Sequence, residues 1–143
     1  WAARLQNIKS GYLHSLIPNN FELWLDGAHN EAGAYSVAQY SQNNWNDKDL
    51  HIICGFTKGR DSNEILKHFK DQAKTICPVL VKTEPSAQNP QKISEHNKNI
   101  GIESYPFDDI EDAIEFIVKK SSNNARILLL GSLYLSSDAL KAA

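Results

Sequence analysis

Apolar residues fall along the chain in two kinds of run. Short unbroken stretches stand between polar turns: Leu23-Trp24-Leu25, Ile52-Ile53-Cys54, Ile76-Cys77 with Val79 and Val81, and Ile127-Leu128-Leu129-Leu130. Runs of that length without alternation are expected of strands covered on both faces. Between them apolar positions recur at helical spacing, as Ala34, Val37 and Ala38, as Ile65, Leu66 and Phe69, and as Ile110, Ala113, Ile114, Ile117 and Val118. The last set follows the i, i+3, i+4, i+7, i+8 stripe of an amphipathic helix. Acids stand in its first turn and Lys119-Lys120 in its last, as the helix dipole favours.

These patterns predict strands at about 22–26, 50–56, 76–82, 102–105 and 126–131. Helices are predicted at about 31–44, from an Asp61 cap onward, at 89–99, at 109–120, and from Ser132 to the end. Residues 1–21 form an opening segment of weak regular structure holding at most a short strand. Asp61-Ser62-Asn63-Glu64 has the form of a helix cap with an acid three positions later. Pro78 suggests that the third strand starts irregularly. The rhythm of strand and helix predicts one domain over residues 1–143, α/β in class. It is expected to be a Rossmann-like, doubly wound, mostly parallel sheet of about five or six strands with helices on both faces.

Composition narrows the picture. The 143 residues suffice for one sizeable core, and 41% hydrophobic with 22% charged residues is ordinary for a globular domain. A net charge of −2 argues against a nucleic-acid partner held by phosphate neutralisation. No apolar run approaches the roughly 20 residues of a membrane span, so no membrane partner is expected. Cys54 and Cys77 lie in apolar runs without metal-ligand spacing and are expected to be buried free thiols, which fits a reducing cytoplasm. The chain has no methionine and begins at Trp1, so it is expected to be a piece of a longer polypeptide or a processed product.

The candidate chemistry lies at predicted strand-to-helix turns, which share one edge of a doubly wound sheet. Asp26-Gly27-Ala28-His29-Asn30 follows the first long strand. The Asp26 carboxylate can accept from a ribose diol or brace the turn. His29 can meet a carboxylate or phosphate, accept a proton, or bond to backbone. Asn30 is a natural helix cap. Gly131-Ser132 ends the last strand and opens a helix, offering N–H groups and a hydroxyl to an anion, with Tyr134 close by in sequence. Lys58, Gly59, Arg60 and Asp61 form a charged loop. Neither a G-x-x-x-x-G-K-[ST] loop nor a G-x-G-x-x-G fingerprint is present.

In order, these pieces resemble the C-terminal domain of folylpolyglutamate synthase/dihydrofolate synthase, within the Mur ligase superfamily. The resemblance rests on Leu25-Asp26-Gly27-Ala28-His29-Asn30, on Ala3-Arg4-Leu5-Gln6, on the Gly55 to Asp61 loop, and on Gly131-Ser132-Leu133-Tyr134-Leu135. It covers essentially the whole chain. It departs from the family pattern at Ala3, where glycine is usual, and at Arg60, where lysine is usual; the latter exchange keeps charge but not shape. The resemblance implies an ATP-dependent amide ligase that adds L-glutamate to dihydropteroate or folate through an acyl phosphate. It implies that Arg4, Asp26 and Asn30 face ATP, that His29, Ser132 and Tyr134 line the glutamate site, and that His29 is catalytic. Mg²⁺ would be held mainly by an N-terminal ATPase domain acting in cis, with no metal ligands in this chain, and the chain alone would be inactive. The alternatives are another Mur-type amino-acid ligase domain and a non-catalytic Rossmann-like binding module.

Overall fold

The computed structural model describes residues 5–28, 30–82, 84–121 and 124–132. Its five strands are β1 (Gln6–Ile8), β2 (Phe21–Asp26), β3 (Asp49–Gly55), β4 (Ala73–Pro78) and β5 (Ala125–Gly131). Its helices are α1 (Glu31–Asn44), α2 (Ser62–Leu66), α3 (Pro90–Asn99) and α4 (Ile110–Lys120). The strands form one sheet in the order β1-β2-β5-β3-β4. β2, β5, β3 and β4 run parallel, and β1 pairs antiparallel with β2. This is the mostly parallel α/β sheet that the unbroken apolar runs predict.

Each strand sends alternate residues to opposite faces. On one face Leu23, Leu25, Ile53, Cys77, Ile127 and Leu129 pack against Ala113, Ile114 and Ile117 of α4. On the other, Ile52, Cys54, Ile76, Leu128 and Leu130 pack against α1, α2 and α3 through Ala34, Val37, Ala38, Ile65, Leu66 and Ile93. Helices therefore cover both faces, and β5 is buried along its whole length. α1 carries the chain from β2 to β3, across the position that β5 later fills.

Three local predictions are corrected. The third strand runs from Ala73 to Pro78 rather than 76–82, so Pro78 closes it instead of opening it. Proline has no N–H to give, and Pro78 sits where its carbonyl still accepts from the Phe107 N–H at 3.0 Å. Residues 102–105 do not form a strand. Two isolated parallel bridges, Ile76–Ser104 and Val79–Phe107, line the β4 edge instead, and Pro106 between them interrupts any continuous ladder. The helix after Asp61 tightens into a 3₁₀ turn at Lys67–Phe69, which still buries Phe69 beside Ile65 and Leu66. The helix predicted beyond Ser132 lies outside the described residues.

Both cysteines are free and buried. Burial raises the Cys54 thiol well above its ordinary pKa and pushes Cys77 up to about 12, so both stay protonated and unreactive at neutral pH. Near the amino ends of the strands, His51 is buried at 1% exposure with Nδ1 2.7 Å from Thr75 Oγ1. Its Nε2 has no hydrogen-bond partner among the described residues.

Candidate functional site at the carboxyl edge of the sheet

The register brings the predicted turns together. Asp26 on β2 lies beside Leu130 on β5, and Gly55 on β3 lies beside Gly131 on β5. Three adjacent strands thus deliver the Asp26 turn, the Gly131-Ser132 corner and the Gly55–Asp61 loop to one edge. In an open α/β sheet this is where ligands bind.

Asp26 is buried, at 2% exposure, and its carboxylate joins two segments. Oδ1 accepts from the Ala28 N–H and Oδ2 from the Leu5 N–H, both at 2.7 Å. Leu5 has a φ of 24°, a region disfavoured for a side chain with a Cβ, and the Asp26 bond holds it there. Leu5 and Ala28 are the sequence neighbours of Arg4 and His29. One carboxylate therefore anchors the backbone next to two of the predicted site residues. Asn30 caps α1, its Oδ1 accepting from the Gly33 N–H at 2.8 Å. A side chain at Gly33 would come within 3.3 Å of Ala28 and of that cap oxygen, so the turn and the helix start are tightly fitted.

Gly131 has a φ of 88°, and a Cβ there would lie 2.6 Å from both the Gly55 carbonyl oxygen and the Phe56 ring. Only glycine permits this approach of β5 to the end of β3. Ser132 follows it at 1% exposure. Asp26, Asn30 and Ser132 are thus assembled at one edge, whereas Arg4, His29 and Tyr134 lie outside the described residues.

The Gly55–Asp61 loop is stitched to the segment before α3. Lys58 N–H donates to the Ser86 carbonyl at 2.7 Å, and Gln88 N–H donates to the Phe56 carbonyl at 2.8 Å. The Gln88 amide Nε2 then donates to the carbonyls of both Thr57 and Arg60, each at 2.8 Å. Gln88 was not among the residues that sequence reasoning singled out. It lies 28 positions from Arg60, and a lone glutamine before an Asn-Pro carries no local pattern that reveals such a clamp. Lys58 and Arg60 form no ion pair among the described residues, so the loop gives the edge a basic rim. Asp61 caps α2, accepting from Glu64 N–H at 3.1 Å. Among the described residues no group of three or more His, Cys, Asp or Glu could hold a metal ion, so no step is assigned to a metal on these side chains. No helix of the described residues is long and apolar enough to cross a membrane.

Fold and site together define a class: an α/β domain with a mostly parallel sheet that gathers three polar turns at its carboxyl edge. The chain belongs to the family described as dihydrofolate synthetase, C-terminal domain, whose model matches residues 9–142. It is 26% identical over 141 residues to the dihydrofolate synthase/folylpolyglutamate synthase of Bacillus subtilis (strain 168), covering 94% of this chain and 32% of that protein. The chain thus spans about a third of the length of that curated relative. Its fold matches the bifunctional folylpolyglutamate synthase/dihydrofolate synthase of Yersinia pestis, complexed with AMPPNP and a Mn ion, with a TM-score of 0.76 at 15% identity; the match covers 99% of this chain and 31% of that one. A bifunctional folylpolyglutamate synthase/dihydrofolate synthase with Mn, AMPPNP and L-glutamate bound gives the same TM-score, identity and coverage. The homologues are ligases of folate metabolism.

Proposed function

We propose that this chain is the glutamate-ligase domain of an ATP-dependent carboxylate–amine ligase, adding L-glutamate to dihydropteroate, to folate glutamate tails, or to both. It would work against an N-terminal ATPase domain in cis, and alone it would not turn over ATP. The observation that carries this reading is the convergence of the Asp26–Asn30 turn and the Gly131-Ser132 corner on adjacent strands. These two motifs are far apart in sequence and belong to the segments on which the family resemblance rests.

The chemistry has two steps. An acceptor carboxylate oxygen attacks the γ-phosphorus of ATP, forming an acyl phosphate and releasing ADP. The α-amine of glutamate then attacks the acyl carbon, and the tetrahedral intermediate collapses with the C–O electron pair leaving on phosphate. The amine must lose a proton as the amide forms. A divalent metal bound with ATP would offset phosphate charge. This domain's part is positioning, which can supply a large share of such a barrier by holding amine and acyl phosphate in line.

In this reading Arg4, Asp26 and Asn30 form the ATP side. Asp26 contributes through the Leu5 and Ala28 backbone it anchors, with its carboxylate the proposed ribose contact. His29, Ser132 and Tyr134 form the glutamate side. The role proposed for the His29 imidazole is to orient glutamate and receive the amine proton. In the two-domain enzyme, His29→Ala is expected to lower glutamate-dependent turnover by about 10²-fold or more with little change in melting temperature. Unchanged steady-state kinetics in glutamate would remove His29 from the site. The cytoplasm is the proposed compartment, in keeping with two buried protonated thiols.

A further inference from the structure

The tip of the Gly55–Asp61 loop is a tight turn held from outside itself. Arg60 N–H donates to the Thr57 carbonyl at 3.3 Å, closing the turn Thr57-Lys58-Gly59-Arg60. Gly59, its third residue, supplies a positive φ of 89°. A Cβ on Gly59 would meet nothing within 4 Å among the described residues, so packing does not hold it. The Gln88 amide holds the turn instead. Its Nε2 donates to the Thr57 and Arg60 carbonyls together, 2.8 Å to each, and so ties the first and last residues of the turn to one atom. A primary amide carries two N–H groups on one nitrogen, which is what two converging carbonyls need.

The same residue reaches the proposed site through its backbone. Ala87 pairs with Thr57 in an antiparallel bridge, and beside it Gln88 N–H donates to the Phe56 carbonyl at 2.8 Å. Phe56 is fully buried, and its ring lies so close to Gly131 that a Cβ there would stand 2.6 Å from it. Gly131 also pairs with Gly55 across β5 and β3, and the buried Ser132 follows it. A contact with no room for a methyl group passes a displacement on instead of absorbing it. A shift of the loop at Phe56 is therefore carried to the Gly131-Ser132 corner. The Asp26 turn is held separately, by the Asp26 carboxylate on the Leu5 and Ala28 N–H groups.

We propose that Gln88 is a positioning residue for the glutamate side of the site. Its amide locks the Thr57–Arg60 turn, and through Phe56 it sets the place of Gly131-Ser132. The proposal rests on the proposed glutamate-adding function and adds to it a residue that acts through Phe56 and not on the reactants.

The test is steady-state kinetics of the two-domain enzyme, with glutamate and ATP varied in turn. Gln88→Ala removes the amide, and Gln88→Glu keeps its length but offers the two carbonyls an acceptor in place of a donor. Both variants should raise KM for glutamate about tenfold, since a small misplacement at a site is costly even when its cause is remote. KM for ATP should change less than about twofold, because the proposed ATP side does not hang on this loop. Gln91→Ala, on the exposed side of the first turn of α3, should leave both constants within about twofold. The Arg60 bond is exposed to solvent, where water can replace the amide, so the variants are expected to fold. Gln88→Asn, one carbon shorter and milder, carries the same expectation and decides the matter where a harsher variant does not fold. In the chain alone, amide chemical shifts of Gly131 and Ser132 should move in Gln88→Ala.

The proposal is overturned if Gln88→Glu keeps the wild-type KM for glutamate, or if KM rises equally for ATP and glutamate. It is also overturned if the shifts stay confined to the loop and the residues around Gln88. Absence of glutamate-dependent ADP release in the wild-type two-domain enzyme overturns the reaction reading, whereas the Gly131 and Ser132 shifts judge the coupling by itself.

Discussion

Asp26 holds two backbone N–H groups on one buried carboxylate, which determines what its loss would do. Asp26→Ala leaves the Leu5 and Ala28 donors unsatisfied inside the protein and removes the bond that holds Leu5 at its positive φ. Orphaning buried donors costs about 1–3 kcal/mol each, so denaturant unfolding should show a loss of about 2–4 kcal/mol before any ligand is added. A loss under about 0.5 kcal/mol would mean that the carboxylate serves ligand alone. His51 makes a second residue-scale prediction. Burial lowers its pKa from 6.5 to about 4, and Asp49, the next strongest influence, only partly offsets this. Above pH 6.5 folded and unfolded chains both carry it neutral, and its contribution is intact. As pH falls from 6.5 toward 4 the unfolded chain takes up a proton that the folded chain refuses, and stability is lost. The loss sums to about 3 kcal/mol by pH 4. The stability difference between wild type and His51→Gln should therefore narrow or reverse over that window; a constant difference would show that His51 does not sense pH.

At the scale of elements, the carboxyl edge depends on how closely β5 approaches β3. Gly131→Ala would put a methyl group 2.6 Å from the Gly55 carbonyl oxygen and from the Phe56 ring, on a backbone with φ of 88°. Overpacking and left-handed strain together should cost about 3 kcal/mol or more, read as a lowered denaturation midpoint. A variant as stable as wild type would show that the edge can spread. This dependence was half legible in the sequence. Gly131-Ser132 was read as a strand end facing an anion, but the partner that makes glycine obligatory, Phe56, is 75 positions away, and no local pattern connects the two. Elements with strong internal periodicity were read well. α1 and α4 emerged within a residue of their predicted bounds, α4 because its apolar stripe and terminal charges agree and α1 because Asn30 caps its start and Ala34, Val37 and Ala38 share its buried face. The misplaced strands trace to two prolines. Pro78 in an apolar run reads as an irregular strand start, yet its missing donor suits a strand end at the sheet's margin, and Pro106 breaks an edge whose residues otherwise look like a strand. The clamp by Gln88 was invisible for a different reason: it acts on carbonyls, which every residue has, so the loop it binds bears no mark of it.

At the scale of the whole molecule, the sheet order explains why residues scattered from Asp26 to Ser132 face one edge. β5, the last strand described, inserts between β2 and β3 and sets its Gly131-Ser132 corner between the Asp26 turn and the Gly55 loop. That arrangement gathers the three turns at one edge, with Lys58 and Arg60 exposed on the adjoining loop. The described residues contribute no metal cluster, and the sequence holds no phosphate loop. In this account the ATP-phosphorylating machinery stands on a second domain and this chain contributes the glutamate side. The direct measurement is ADP release in the presence of ATP, Mg²⁺, dihydropteroate or folate, and L-glutamate, for this chain alone and for this chain joined to an N-terminal ATPase domain. The account predicts release only from the joined protein, and only when both the acceptor and glutamate are supplied. Release by the isolated chain, or release by the joined protein that is indifferent to glutamate, would contradict it.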